Sequence, residues 1–146
     1  MNINFRNAEL KDKEFILKAN KEINVLSGLN DSTFDSNIDK DLFQDRVWKV
    51  IVAEVDNSVA GFVLYSYIYW ANCGKGIYLS QAYVKEECRK QGILNMLLKE
   101  LESREKECKF ITNLVGNENE IMINSLNRLK FKSSNLITFY RKTSDN

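Results

Sequence analysis

The sequence reads as one α/β domain of the α+β kind spanning residues 1–146, in the order strand, two helices, three antiparallel strands, helix, strand, helix, strand. Three observations predict it. The run Gly76 to Leu101, GIYLSQAYVKEECRKQGILNMLLKEL, passes from a strand pattern to a helical one. Ile77, Leu79 and Tyr83 share one strand face at the period of two, whereas Ile93, Leu94, Leu97, Leu98 and Leu101 recur on one helical stripe. Upstream, Val47–Val55 and Val59–Trp70 flank the turn residues Asp56-Asn57-Ser58, which is the signature of a hairpin. Finally, 146 residues with 44% hydrophobic and 28% charged side chains suit one soluble domain with a full core.

Each element has its own local cause. Asn2 to Arg6 alternates polar and apolar residues and predicts a first, edge strand. A helix follows from Ala8, with Phe15, Ile16, Ala19, Ile23 and Leu26 on one face and Ser27-Gly28 as its stop. Asp31-Ser32 offers a cap for a short second helix carrying Phe34, Ile38 and Leu42 at a spacing of four. After the hairpin, Ala71 to Lys75 turns the chain into the strand of the organising stretch, and its helix follows. Phe110 to Val115 is a strand, and Asn117 or Asn119 can cap a helix whose inner stripe is Met122, Leu126 and Leu129. Leu136 to Lys142 is the last strand, before a polar tail. There is no repeat and no proline.

Composition excludes several function classes. Lys and Arg number 21 against 20 Asp and Glu, so nothing points to a nucleic-acid or membrane partner. The absence of histidine removes the commonest metal ligand and every Ser-His or Cys-His nucleophile, and Cys73, Cys88 and Cys108 lack zinc spacing. No metal is expected. An odd cysteine count and an N-terminus without an apolar signal core predict reduced thiols and a cytoplasmic location.

The loop between the organising strand and its helix is the first candidate site. A strand that turns through Arg89-Lys90-Gln91-Gly92 into a helix aims free backbone N–H groups and the helix dipole at one spot, suited to phosphate. A glycine there lets an anion approach the backbone, and Arg89 adds a permanent charge. By spacing alone, a solvated surface loop is the commoner occupant of such a pattern.

Arg89-Lys90-Gln91-Gly92-Ile93-Leu94 resembles the acetyl-CoA-binding motif of the GCN5-related N-acetyltransferase (GNAT) family: Gln or Arg, two residues, Gly, one residue, then Gly or Ala. Leu94 departs from it, standing where the family has a small residue. Leu64 to Val84 resembles the diamine (spermidine/spermine-like) acetyltransferase branch, with its tyrosine-rich strand, tryptophan and YLxxxxV strand. The resemblance implies a central, twisted, mixed and mostly antiparallel sheet of six to seven strands flanked by about four helices, with the two N-terminal helices lining the acceptor pocket. It implies acetyl-CoA as co-substrate, a small-molecule amine as acceptor, and a homodimer. Arg89, Gln91 and Gly92 would carry the pyrophosphate, with Lys90, Ile93, Leu94 and Asn95 around it. The strand Ala82-Tyr83-Val84 would pair with the pantetheine arm, where a splay from the next strand leaves an N–H free for the oxyanion. Asn119 opens the helix that carries the family's acid motif.

Two catalytic positions depart from that pattern. The branch has a Glu-Asp pair where this chain has Ser80-Gln81, and neither can take a proton at neutral pH, so at best they hold a water. The family's proton-donating tyrosine is replaced by Leu126 in the helix after Asn119. A thiol with a pKa near 8.5 still leaves tolerably as thiolate, so the replacement slows transfer and does not forbid it. Glu54 is a substitute base if it faces the cleft. Tyr65, Tyr67, Tyr69, Trp70 and Tyr78 either line an acceptor pocket or pack the sheet, and Cys88 beside Arg89 is either activated or an exposed loop thiol. The reading is an N-acetyltransferase acting on a primary amine by direct attack. Its rival is a catalytically weak acetyl-CoA-binding sensor or scaffold, for which Ser80, Leu94 and Leu126 argue.

Overall fold

The computed structural model of the chain describes residues 1–26, 28, 33–139, 141 and 143. Five strands form one sheet in the order β1 (Ile3–Asn7), β2 (Lys49–Val55), β3 (Ser58–Trp70), β4 (Gly74–Val84) and β5 (Ile111–Thr112). The first four are antiparallel neighbours, and β5 lies parallel to β4. A parallel pair needs a long crossover, which the helix α3 (Ile93–Arg104) supplies. Asp56 and Asn57 both have positive φ, 48° and 68°, as a tight two-residue hairpin requires, and they join β2 to β3.

Helices cover both faces. The 14-residue α1 (Lys13–Leu26) and α2 (Thr33–Ile38) lie on one side, with α2 continuing into a π-helical segment Asp39–Gln44. Ile16, Ala19, Ile38 and Leu42 pack there against Val50, Val52, Phe62 and Leu64. On the other side α3 presents Ile93, Leu97, Leu98 and Leu101 to Ile51, Val63, Ile77 and Leu79, and α4 (Glu120–Arg128) adds Met122 beside Leu129. The α3 stripe therefore falls where the periodicity put it, and in α1 Phe15, Ile16 and Ala19 do so while Leu26, expected on the same face, is exposed. Burying twelve side chains on that second face, each worth about 1.5–3 kcal/mol when large and aliphatic, is what seats α3 on the sheet.

Three expectations are corrected. The sheet has five strands among the described residues, not six to seven. The predicted strand Leu136–Lys142 does not form over its described part: Leu136, Ile137 and Phe139 are 80%, 79% and 91% exposed, so no face of it is buried to fix a register. Residues 140 and 142 of that expectation lie outside the described residues, as do Ser27 and the Asp31-Ser32 cap. Helix α1 starts at Lys13, not at Ala8, after a 3-10 turn Leu10–Asp12. Asp12 holds that turn by accepting from the Glu9 N–H at 2.7 Å and from Arg6.

A further correction matters most for the site. Leu64 pairs with Gln81 but Tyr65 with Leu79, leaving Ser80 as an extra residue, a β-bulge. Side-chain parity flips there. Ile77 and Leu79 face α3 as expected, but Tyr83 turns to the opposite face, where its ring meets Phe15 and Phe62.

Candidate active site

Strand β4 outruns its neighbour. It pairs with β5 only at Ile77–Ile111 and Tyr78–Thr112, then continues to Val84. At the fork Asn113 Nδ2 donates to Leu79 O at 2.6 Å, and the peptide edge beyond it has no ladder partner on that side. A cavity of about 570 Å³ opens between this free edge, the 85–92 loop, the start of α3 and α4. Ala82, Tyr83, Val84, Arg89, Lys90, Gly92, Ile93, Leu94, Asn95 and Asn119 line it, and so does Cys88.

The loop takes its shape from its backbone. Lys90 and Gly92 have φ of 61° and 77°, and α3 begins just after them at Ile93, with Ile93, Leu94 and Asn95 of its first turn lining the cavity. A Cβ on Gly92 would meet nothing within 4 Å, so its need for glycine comes from the left-handed φ and not from crowding. Arg89 is aimed from two sides: its Nε donates to Val84 O at 2.8 Å, and its guanidinium lies 5.9 Å from the centre of the Tyr83 ring. The Tyr83 hydroxyl donates to Glu22 of α1 at 2.8 Å. Burial, then that carboxylate, push the phenol up to about 12, so it stays protonated at neutral pH.

Other expected residues are placed differently. Gln91 does not line the cavity, and its amide donates to Glu87 O. Asn119 caps α4, accepting from the Met122 N–H at 3.2 Å. Leu94 both lines the cavity and packs on the core around α3. Leu126 is buried at 8% exposure and does not reach the cavity; Ser125, one residue before it, does. Ser80 and Gln81 lie outside the cavity as well, because the bulge sends Gln81 toward α1, where its Nε2 donates to Asn20 Oδ1.

Glu54 is removed from the chemistry. It accepts from Arg6 Nε at 2.7 Å and from Asn4, contacts that hold its carboxyl below the usual range. It does not line the cavity. The aromatic residues divide between the two faces. Tyr65 and Tyr67 stand on the α3 side, with both hydroxyls donating to Glu105, while Lys75 Nζ sits 3.9 Å over the Tyr67 ring. Tyr78 packs against Trp48 on the α1 side, and Trp70 stacks on Phe110 at 4.5 Å, whose ring fills the space over Gly76. Tyr69 is exposed.

Sequence reasoning missed Glu22, Asn20, Asp35 and Asn113. Asn20 carried a signal: a polar residue next to Ala19, inside the apolar stripe of α1, needs a buried partner. For the others the pairing exists only in three dimensions.

The comparisons with known proteins agree with this architecture. A structure described as a possible acetyltransferase from Clostridium difficile 630 superposes with a TM-score of 0.80 at 20% identity, covering 99% of each chain. The aminoglycoside N-acetyltransferase AAC(6')-Iy, solved with the bisubstrate analogue CoA-S-monomethyl-acetylneamine, gives 0.76 at 19% identity over 99% of this chain and 100% of its own. A predicted acetyltransferase from Clostridium acetobutylicum, solved with acetyl-CoA, gives 0.74 at 16% identity and 96% coverage of both. No curated protein matches the sequence. The family model of the acetyltransferase (GNAT) family matches residues 16–131, the stretch from α1 through α4 that builds the cavity, and the chain belongs to that family.

Proposed function

We propose that the chain transfers an acetyl group from acetyl-CoA to a primary amine of a small molecule by direct attack, without a covalent enzyme intermediate. The observation that carries this is the cavity at the fork of β4 and β5, with an unpaired strand edge on one wall and the N-terminus of α3 beside Arg89 on another. The residues fit the cofactor. Ile93, Leu94 and Asn95 offer first-turn N–H groups, and Arg89, fixed through Nε, keeps its terminal nitrogens for phosphate oxygens. The free edge of Ala82 to Val84 would pair with the amides of the pantetheine arm. Bound acetyl-CoA supplies the activated thioester, and an N–H on that edge polarises its carbonyl. The aminoglycoside acetyltransferases of the same fold and the likeness of Leu64–Val84 to the diamine branch support cationic amines, diamines first, as the acceptors to assay.

Replacing Arg89 by Ala should weaken acetyl-CoA binding by about tenfold at low salt, and by less as salt rises, because a charge-assisted contact is lost. Calorimetric titration checks it, and unchanged affinity at low salt would return the loop to a solvated surface turn. Leu94→Gly in the same assay separates two effects. Tighter binding would show that Leu94 crowds the phosphates, and a lower melting temperature alone would assign it to the α3 stripe. The second reading, a cofactor-binding module with weak catalysis, is favoured by buried Leu126 in the acid position. Thiol release over a panel of amines decides between the two.

We also propose a cytoplasmic homodimer. The sheet ends in the two-residue β5, and Leu136, Ile137 and Phe139, after α4, are exposed apolar surface of the kind that self-association covers. Light scattering at high micromolar concentration should return twice the chain mass, and a monomer there would overturn it.

A further inference from the structure

Strand β5 stops after two residues, and how it would have continued follows from its register. Ile77 pairs with Ile111 in the parallel ladder, and Ile77 N–H donates to Phe110 O at 2.9 Å. Such a ladder repeats every second residue: each residue donates to the carbonyl before its partner and accepts from the N–H after it. Two residues on, Leu79 O would therefore accept from Leu114 N–H. It accepts instead from Asn113 Nδ2, at 2.6 Å. A side-chain amide has taken the place of the next backbone donor, and the strand ends there. Paired strands lie about 4.8 Å apart, so a side chain interposed between the two backbones sets the chain at 113 further from β4 than a ladder would. Strand β4 runs on to Val84 without a partner on that side, and Ala82, Tyr83 and Val84 line the cavity.

Stability alone does not account for an amide at this position. A carbonyl only accepts, so Asn113 must turn its NH2 to Leu79, which fixes the orientation of the amide. Its other end, Oδ1, is then buried with no hydrogen-bond partner among the described residues. Buried acceptors without partners are rare because the loss of hydration is uncompensated. An aliphatic side chain at 113 would leave no such orphan, and the ladder could run on and satisfy Leu79 O from the backbone. Local choices that work against the stability of a fold gather where function needs them.

We infer that Asn113 is a positioning residue for the cofactor's pantetheine arm: its amide ends the β4–β5 ladder at Leu79 and holds the fork open for that arm. The inference rests on the acetyl-transfer reading, and it adds the side chain that prepares the strand edge which that reading uses. Asn113 does not line the cavity, so it acts through Leu79 and the path of the chain after β5 and touches neither cofactor nor acceptor. Without its NH2, Leu114 N–H is the donor in register with Leu79 O, and the ladder closes one step toward Ala82. The arm must then reopen the fork before it binds, and affinity falls by the fraction of molecules that stand closed. The nucleotide half of the cofactor, held by Arg89 and the first turn of α3, does not meet the fork and is not subject to that loss.

The test is a calorimetric titration of the full chain with acetyl-CoA and, separately, with adenosine 3′-phosphate 5′-diphosphate, which is the cofactor without its pantetheine arm. Asn113→Leu, close to the same size but with no donor, should bind acetyl-CoA about tenfold more weakly and the nucleotide within about twofold of the wild type. A general loosening of the fold would weaken both alike. Equal weakening of the two ligands, or full affinity for acetyl-CoA, would overturn the inference. Hydrogen exchange in the ¹⁵N-labelled wild type gives a second reading that needs no variant to fold: the Asn113 side-chain NH2 should exchange slowly and the Leu114 N–H rapidly. A rapidly exchanging NH2, or a protected Leu114 N–H, would equally overturn it. The two readings stay apart in the same titrations. A wild type that binds both ligands beside an unaffected Asn113→Leu sinks the role of Asn113 alone, and a wild type that binds neither sinks the acetyl-transfer reading.

Discussion

The rate of acetyl transfer, as kcat/KM for an accepted primary amine, should climb roughly tenfold per pH unit from pH 7 until the amine's own pKa near 10.4. An alkylamine with that pKa has only about one molecule in a thousand in the nucleophilic form at pH 7 unless the site removes its proton. Among the described residues, none of the bases expected from the sequence is placed to do so. Ser80 and Gln81 cannot, Glu54 is held ionised by Arg6 on the β1–β2 side of the sheet, and the Tyr83 phenol is pushed up to about 12 and engaged with Glu22. Sulfur departs as thiolate without help from Leu126, and rising pH does not hinder that. Rates measured from pH 6 to 10 check the slope. A plateau or bell centred near neutrality would reveal a base in the cleft, and Glu22, the carboxylate on its wall, would be the first to mutate.

Arg6→Met should destabilise the fold by about 3 kcal/mol, lowering the melting temperature by about 10 °C, although Arg6 lies on the edge strand far from the chemistry. Its guanidinium donates to both Asp12 oxygens at 2.7 and 2.9 Å and to Glu54 at 2.7 Å. Asp12 is 3% exposed, so removing its partner leaves a buried charge with only the Glu9 N–H. For Asp12, burial works to raise the pKa, and the Arg6 and Glu9 bonds more than offset it, leaving the group below its ordinary value. A carboxylate whose folded pKa lies below its unfolded one contributes fully above the unfolded value, about 3.9, and loses that contribution as pH falls through the folded one. The gap between wild type and variant should therefore be full at pH 7 and shrink below about pH 4. Thermal melts of both proteins at pH 7 and pH 3.5 check it, and a gap independent of pH would show that the Arg6 stem, not the charge, carries the stability.

Most of the fold is legible in the residues because periodicity and burial are two views of one fact. Ile93, Leu97, Leu98 and Leu101 had to face a sheet, Asp56-Asn57 had to turn a hairpin, and Arg89 to Leu94 had to be a loop opening a helix. The free edge of β4 could be named only through the family likeness, since backbone carries no letter of its own. The aromatic residues of β3 and β4 were ambiguous because an alternating pattern says which residues share a face and not which face it is.

What the sequence determined by itself is the element order through α4, the apolar stripe of α3, the hairpin turn and the loop that opens α3, all of which follow from spacings of two to four residues. What only the tertiary structure decided is the role of single polar side chains. One unpaired residue at Ser80 reversed the parity of β4, sending Gln81 to Asn20 and Tyr83 to Glu22 across separations of 61 residues, while Asn20 in turn donates to Asp35. A bulge depends on how β3 and β4 register against each other under the packing of both faces, a long-range balance that no local spacing encodes.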